Sequence, residues 1–346
     1  MSNEVFVLLL LIICGLVMSW GFRVLPRNGW QMLASLPIRP LGNGQWQGLN
    51  LTWYGLLTAN AYLAALTILI VLLGAAGVAL PGVMLVAVFL LALCVPASRL
   101  VARLVEGKSD TFTVGGAVFV GIVAAPWMVE LVNQLTSDRM PILTTLAAIS
   151  IAYAFGEGLG RLACISFGCC YGKPLSRCGP STQRLFRRWN FRFCEETRKI
   201  AYASDLGGEP TLPVQALTAT LYVGVGLLGT ELFLSGLPVW SFVLCLLVTQ
   251  LWRVLSEFLR ADYRGDSQFS AYQIMGLLAI PYALFTAVYF SAEQPPPPVL
   301  QQGLVQLWQP GTLIFLQLLW LTLFIYTGRS TVTGANLSFH VHRDRI

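Results

Sequence analysis

Uncharged apolar blocks long enough to cross a bilayer constrain this chain more than any other feature. A helix rises about 1.5 Å per residue, so a hydrocarbon layer of about 30 Å takes about 20 consecutive apolar residues. From Pro40 to Ser98 there is no Asp, Glu, Lys or Arg, and Gly74, Gly77, Pro81 and Gly82 divide this stretch into two helices joined by a tight turn. The same reading along the chain predicts spans at 5–22, 51–74, 80–98, 112–133, 141–160, 212–230, 239–259, 270–291 and 308–327. Of the 346 residues 56% are hydrophobic and 11% charged, whereas a soluble domain carries about 25% charged residues. The expected fold class is therefore an all-α integral membrane protein with about nine transmembrane helices.

The first span reads as a retained anchor, because Met1 to Glu4 carries an acid and no Lys or Arg, and no small-residue cleavage site follows. There is no dinucleotide loop, no phosphate loop and no soluble domain, so neither nucleotide chemistry nor nucleic-acid binding is expected. The one sizeable segment outside the spans is 161–211, rich in Arg, and Pro295 to Pro298 reads as a stiff linker before the last span.

With nine spans the loops alternate between two sides. One side has Arg139 as its only basic residue and the other has 18 Lys and Arg, leaving out Arg161, Arg253 and Arg260 at span ends. Omitting 161–211 still leaves 10 against 1. Basic loops face the cytoplasm in most membrane proteins, so the count places the Arg-rich face there and the short N-terminus outside.

Ionisable groups inside or at the end of a span are costly and mark functional sites. One such place runs from Gly156-Glu157-Gly158-Leu159-Gly160-Arg161 through Cys164, Cys169 and Cys170 to Gly172, where a glycine-rich helix end meets an arginine and three cysteines. A second is Arg253, Glu257 and Arg260, at i, i+4 and i+7 of one helix face. Planar guanidiniums suit phosphate oxygens, and Glu257 between them is placed to hold both, although an interfacial ion-pair ladder has the same pattern. Trp53-Tyr54-Gly55, at the start of the second span, reads on its own as an interfacial aromatic anchor.

Cys14, Cys94 and Cys245 lie mid-span and read as small packing groups. The other five, Cys164, Cys169, Cys170, Cys178 and Cys194, leave three readings open: reduced thiols, a disulfide such as Cys178–Cys194, or a thiolate metal site. Paired CxxC motifs at zinc spacing are absent, so no metal and no cofactor is expected. A neighbouring Arg makes Cys169 and Cys170 candidate nucleophiles. The two histidines, His340 and His342, are in the C-terminal tail, which leaves Glu157 and Glu257 as candidate general bases.

Taken in order, these motifs resemble the prolipoprotein diacylglyceryl transferase family of bacterial inner membranes. The resemblance covers roughly 50–290 and rests on Trp53-Tyr54-Gly55-Leu56, the pair Gly115-Gly116, the stretch Gly160-Arg161-Leu162 to Gly172, and Arg253-x3-Glu257-x2-Arg260. Pro213-Val214-Gln215 and Ser270-Ala271-Tyr272-Gln273 add to it. It implies a seven-helix transferase-like core at 50–291, preceded by an extra helix and basic loop at 1–49 and followed by a Pro-rich linker, an extra helix and a tail at 292–346.

The implied activity moves the diacylglyceryl group of phosphatidylglycerol to the thiol of a prolipoprotein cysteine in the inner membrane, releasing glycerol phosphate. Arg161, Arg253 and Arg260 look like the phosphate-facing arginines and Glu257 their partner. Cys169 is the further catalytic candidate. Tyr54, Gly115, Gly116, Cys164, Cys170, Gly172 and Gln273 match substrate-binding positions. The chain departs from the family pattern at Val114, where a histidine is expected, and at Cys164 and Cys169, where Asn and Glu are expected. Family enzymes work at the outer face, the opposite of the side the charge count assigns. Two other readings stand beside this one: a divergent transferase with another acceptor or a cytoplasm-facing site, and a non-catalytic lipid-binding membrane protein.

Overall fold

The computed structural model describes residues 1–27, 31–42, 45–107, 113–136, 139–263, 269–291, 296–330, 337–338 and 342–345. Lys108 and Arg264 of the charge count, Pro295 of the linker and His340 of the tail lie outside the described residues.

The chain opens with α1 (Asn3–Val24), capped by the Ser2 hydroxyl, which accepts from the Val5 N–H at 3.4 Å. Two antiparallel strands follow, β1 (Met32–Gly42) and β2 (Gln45–Thr52). Thr52 then caps α2 (Trp53–Ala75) by accepting from the Gly55 N–H. Next come α3 (Leu80–Glu106), α4 (Val114–Leu135) and α5 (Ile142–Phe167). Two short helices, α6 (Pro180–Phe186) and α7 (Lys199–Ser204), lie in the Arg-rich segment. The chain continues through α8 (Val214–Leu234), α9 (Pro238–Glu257), α10 (Ala271–Tyr289), the short α11 (Leu300–Leu307) and α12 (Pro310–Gly328). Strands β3 (Arg329–Ser330) and β4 (Leu337–Ser338) both pair with β2.

Among the described residues nine helices are long and apolar enough to span a membrane: α1 to α5, α8 to α10 and α12. The all-α membrane architecture is thus as expected, with a small sheet added at one end of the bundle. Two spans run further than their apolar content predicts. Helix α3 continues past Ser98, whose hydroxyl donates to the Thr113 carbonyl while the Thr113 hydroxyl donates to the Ser98 carbonyl, tying α3 to the start of α4. Helix α5 continues to Phe167, so Gly156, Gly158 and Gly160 lie inside a helix, not at its end. Their missing side chains allow close packing: a Cβ on Gly156 would sit 2.9 Å from Ala65 of α2, and one on Gly158 3.0 Å from Val223 of α8.

Helix α5 is the most buried span and packs against α2, α8 and α9. The least buried are α1, which rests on α8 and α5, and α12, which rests on α2 where Gly55 meets Gly328 backbone to backbone. The apolar cluster of the bundle therefore centres on α5, with Phe155 and Ile151 fully enclosed. Whatever α5 carries at its end is held by the best-packed part of the molecule.

Candidate active site

Helix α5 ends at Gly168, whose φ of 71° is the left-handed conformation that glycine adopts without strain. The Gly168 N–H donates to Ile165 O at 3.2 Å and the Cys169 N–H to Cys164 O at 3.0 Å, the paired bonds of a Schellman cap. Cys170 is also left-handed, at φ 56°, which costs a residue with a Cβ about 1 kcal/mol. The Gln215 amide on α8 donates to Cys169 O at 2.9 Å and fixes the turn from the side. This backbone brings the sulfurs of Cys164, Cys169 and Cys170 within 4.8 Å of one another.

The segment after the turn is anchored by Arg198. Its guanidinium donates to Ile165 O (3.0 Å) and Ser166 O (2.9 Å) at the end of α5 and to Leu25 O (2.8 Å) just after α1. A cation among terminal carbonyls complements both helix dipoles. This arginine of the basic face is therefore a structural tie, 1% exposed.

Two to three turns before the cap, Glu157 and Arg161 form an ion pair along α5, and Glu157 Oε1 lies 3.9 Å from Arg253 Nη2 on α9. Arg253 Nη2 also donates to the Tyr153 hydroxyl at 3.1 Å. The side chains of Glu157, Arg161 and Arg253 are all about nine-tenths buried. Two guanidiniums against one carboxylate leave one net positive charge. The Nε atoms of both Arg161 and Arg253 are buried without a hydrogen-bond partner. A buried guanidinium N–H left unpaired is costly, and an anion supplied from outside satisfies it. Gly115, in the first turn of α4, allows that helix end to approach: a Cβ there would lie 3.1 Å from Arg253 Nη1 and 2.3 Å from the Tyr272 ring. Gly116 fits α4 against Val101 of α3.

Arg260 is placed differently from its expected helix position. Helix α9 stops at Glu257, and Arg260 sits in the following turn, its backbone bridged to Gly172. Its Nε and Nη2 fork onto Asp262 at 2.8 and 2.7 Å, and its Nη1 lies 3.5 Å from Glu257. Glu257 thus faces Arg260 and the Ser270 hydroxyl, which donates to its Oε2 at 3.5 Å, while Arg253 turns to Glu157 and Tyr153. The expectation that Glu257 holds both arginines is not met: Arg253 and Glu257 are four apart inside α9, yet Arg253 reaches across to Glu157 and Tyr153 of α5, and Glu257 takes Arg260 from the turn beyond the helix end. Asp262 and Tyr153 were not anticipated; no local spacing links Tyr153 to Arg253, a hundred positions away.

Burial pushes the Asp262 carboxyl up to about 6, with the Arg260 charge opposing. Among the thiols outside the spans, hydrogen bonds from Cys164 and Cys169 hold Cys170 well below the usual thiol value, helped by Arg260 and Arg161; Cys169, the donor, is pushed up.

The other expected residues have structural partners. Tyr54 packs edge-on against Phe167 at 5.6 Å. Gly172 leaves no room for a side chain, since a Cβ would be 2.4 Å from Leu212 O. Gln273 is committed to the α10 cap, accepting from the Ser270 N–H and donating to Val254 O. Cys178 donates to Pro174 O and Cys194 is exposed, each a separate thiol.

These features define a multi-pass membrane protein with a buried, net-positive arginine site at one end of its helix bundle. The sequence profile of the prolipoprotein diacylglyceryl transferase family matches residues 45–290. That match spans most of the chain, and the protein belongs to this family. No curated protein matches it.

Proposed function

We propose that the protein transfers the diacylglyceryl group of phosphatidylglycerol to an acceptor thiol, the cysteine of a lipoprotein precursor, in the bacterial inner membrane. The observation that carries this reading is the Arg161–Glu157–Arg253 cradle. Its single net positive charge matches the single negative charge of a phosphodiester, and its two unpaired Nε–H groups are donors waiting for acceptor oxygens. In the reaction the acceptor sulfur attacks the glyceryl carbon next to the phosphate. The carbon–oxygen bond breaks, its electrons stay on the phosphate oxygen, and glycerol phosphate leaves. The charge that grows on that oxygen is what a fixed guanidinium pair stabilises, and the buried setting strengthens the effect. Arg260, held by Asp262 and Glu257, lies beside the thiol cluster with its charge already offset, and its role is to fix the turn bridged to Gly172. The core of this activity is residues 50–291, with the flanking helices as additions.

A second reading, phospholipid binding without transfer, draws on the same Arg260, whose donors are occupied by carboxylates. Purified protein in vesicles with acyl-labelled phosphatidylglycerol and a peptide bearing a lipobox cysteine separates the two. Labelled peptide together with free glycerol phosphate supports transfer; lipid retained with no labelled peptide supports binding alone.

A further inference from the structure

Cys164, Cys169 and Cys170 form the one cluster of three or more metal-ligating side chains among the described residues. We propose that they hold a zinc ion in a three-thiolate site whose open fourth position takes the acceptor thiol. The role of the fourth position rests on the transfer reading above; the metal site does not.

The geometry fits. Zinc bound to sulfur at about 2.3 Å in a tetrahedron sets its ligand sulfurs about 3.8 Å apart, so sulfurs already within 4.8 Å of one another need only small side-chain rotations. Their convergence is built into the backbone: a Schellman cap, a left-handed Cys170 and the Gln215 bond to Cys169 O all act on one turn. Placing a cysteine, not one of the chain's 32 glycines, in a left-handed conformation retains a sulfur at a conformational cost. Of the packing cysteines Cys14 and Cys245 are enclosed and Cys94 is partly accessible, so it is the convergence of three sulfurs, not their exposure, that sets this cluster apart. These three stay partly accessible, which leaves one side open.

Three thiolates and Zn²⁺ sum to one negative charge, and a fourth thiolate makes two. The guanidiniums of Arg161 and Arg260 lie beside Cys170, but Glu157, Glu257 and Asp262 already oppose them, so they moderate this charge without cancelling it. Arg161 and Cys164 are three residues apart on one face of α5, so the metal site adjoins the cradle.

The chemistry supplies what the chain otherwise lacks. Val114 precedes the glycine pair and both histidines are in the tail, so no imidazole of the bundle takes the acceptor proton. Coordination to zinc deprotonates a thiol outright. The acceptor S–H proton goes to solvent as its sulfur binds, the sulfur lone pair forms the bond to the glyceryl carbon, and the carbon–oxygen electrons leave with glycerol phosphate. The thioether product is a poorer ligand than the thiolate and departs; zinc stays Zn²⁺ throughout.

The test is the zinc content of the full-length protein, purified in lipid nanodiscs without chelator. About one zinc per chain is expected, lost in Cys164→Ser, Cys169→Ser and Cys170→Ser and kept in Cys178→Ser and Cys194→Ser. In the cobalt-substituted protein, a lipobox peptide should shift the thiolate charge-transfer bands and its serine counterpart should not. Three alkylatable thiols without metal, a disulfide among them, copper in place of zinc, or zinc retained in all three variants would each overturn the site. Zinc binding with no cobalt shift on peptide addition would overturn the fourth-position assignment. Zinc-loaded protein inert toward phosphatidylglycerol would instead count against the transfer reading and leave the metal site standing.

Discussion

At the residue scale, what the buried arginines touch decides which of them have donors left for a ligand. Arg161 and Arg253 share Glu157 and keep one unpaired donor each, whereas Arg260 is fully held by Asp262 and Glu257. Lysine keeps the charge but loses the fork. Arg253→Lys should therefore lower the transfer rate by about 10²- to 10³-fold, as loss of one oriented donor typically does, and thermal unfolding should show the bundle intact. Asp262 gives a pH prediction. Its folded pKa, raised to about 6, lies above its ordinary value of 3.8, so its contribution to stability is fully present below that value and is lost as pH rises through about 6. The ion pair with Arg260 has the opposite requirement and needs the ionised form. Activity should accordingly rise through about pH 6, measured as initial rate against pH, and Asp262→Asn should lack that limb. Glu157 and Arg161 stood out in the sequence as ionisable groups in a glycine-rich stretch at a span end, whereas their pairing, at i, i+4 of a helix, is seen in the structure. The Arg253–Tyr153 bond was not legible in the sequence, since contacts between helices leave no local spacing.

At the scale of elements, apolar length located all nine spans but not where the polar ends of α3 and α5 stop. A helix can continue beyond the apolar block where its side chains find partners, as Arg161 does in Glu157. The same limit explains Arg260: a periodic pattern extends a helix on paper, and the structure ends it at Glu257. The hairpin of β1 and β2 lay hidden because β2 lies wholly in the charge-free run that leads into α2, while most of β1 precedes that run. Gly172 shows how such an element serves the site, as its bare backbone runs against Leu212 and is bridged to Arg260. Gly172→Ala should cost about 1–3 kcal/mol of stability through overpacking, read by thermal unfolding. By displacing Arg260 it should also lower the transfer rate by about 10²-fold, the typical effect of a small misplacement.

At the scale of the whole molecule, α5 forms the centre, the least buried helices α1 and α12 lie at its margins, and the site lies at the end where the basic loops gather. Arg198 is now explained by packing, yet 10 basic residues against 1 remain when the whole of 161–211 is set aside. The charge rule therefore predicts that exposed Cys194, in a variant whose other accessible cysteines are serine, reacts with an impermeant thiol reagent only after cells are permeabilised. Reaction in intact cells would place the site on the outer face, as a lipoprotein acceptor requires; reaction only after permeabilisation would count against that acceptor and leave the phospholipid donor reading standing. The central claim, that the Arg161–Glu157–Arg253 cradle holds the phosphate of a phospholipid, stands apart from that orientation. Native mass spectrometry of the protein released from phosphatidylglycerol nanodiscs tests it most directly. One retained phosphatidylglycerol per chain is predicted for the wild type, sharply reduced in Arg161→Lys/Arg253→Lys while the protein stays folded; equal retention by both proteins would contradict it.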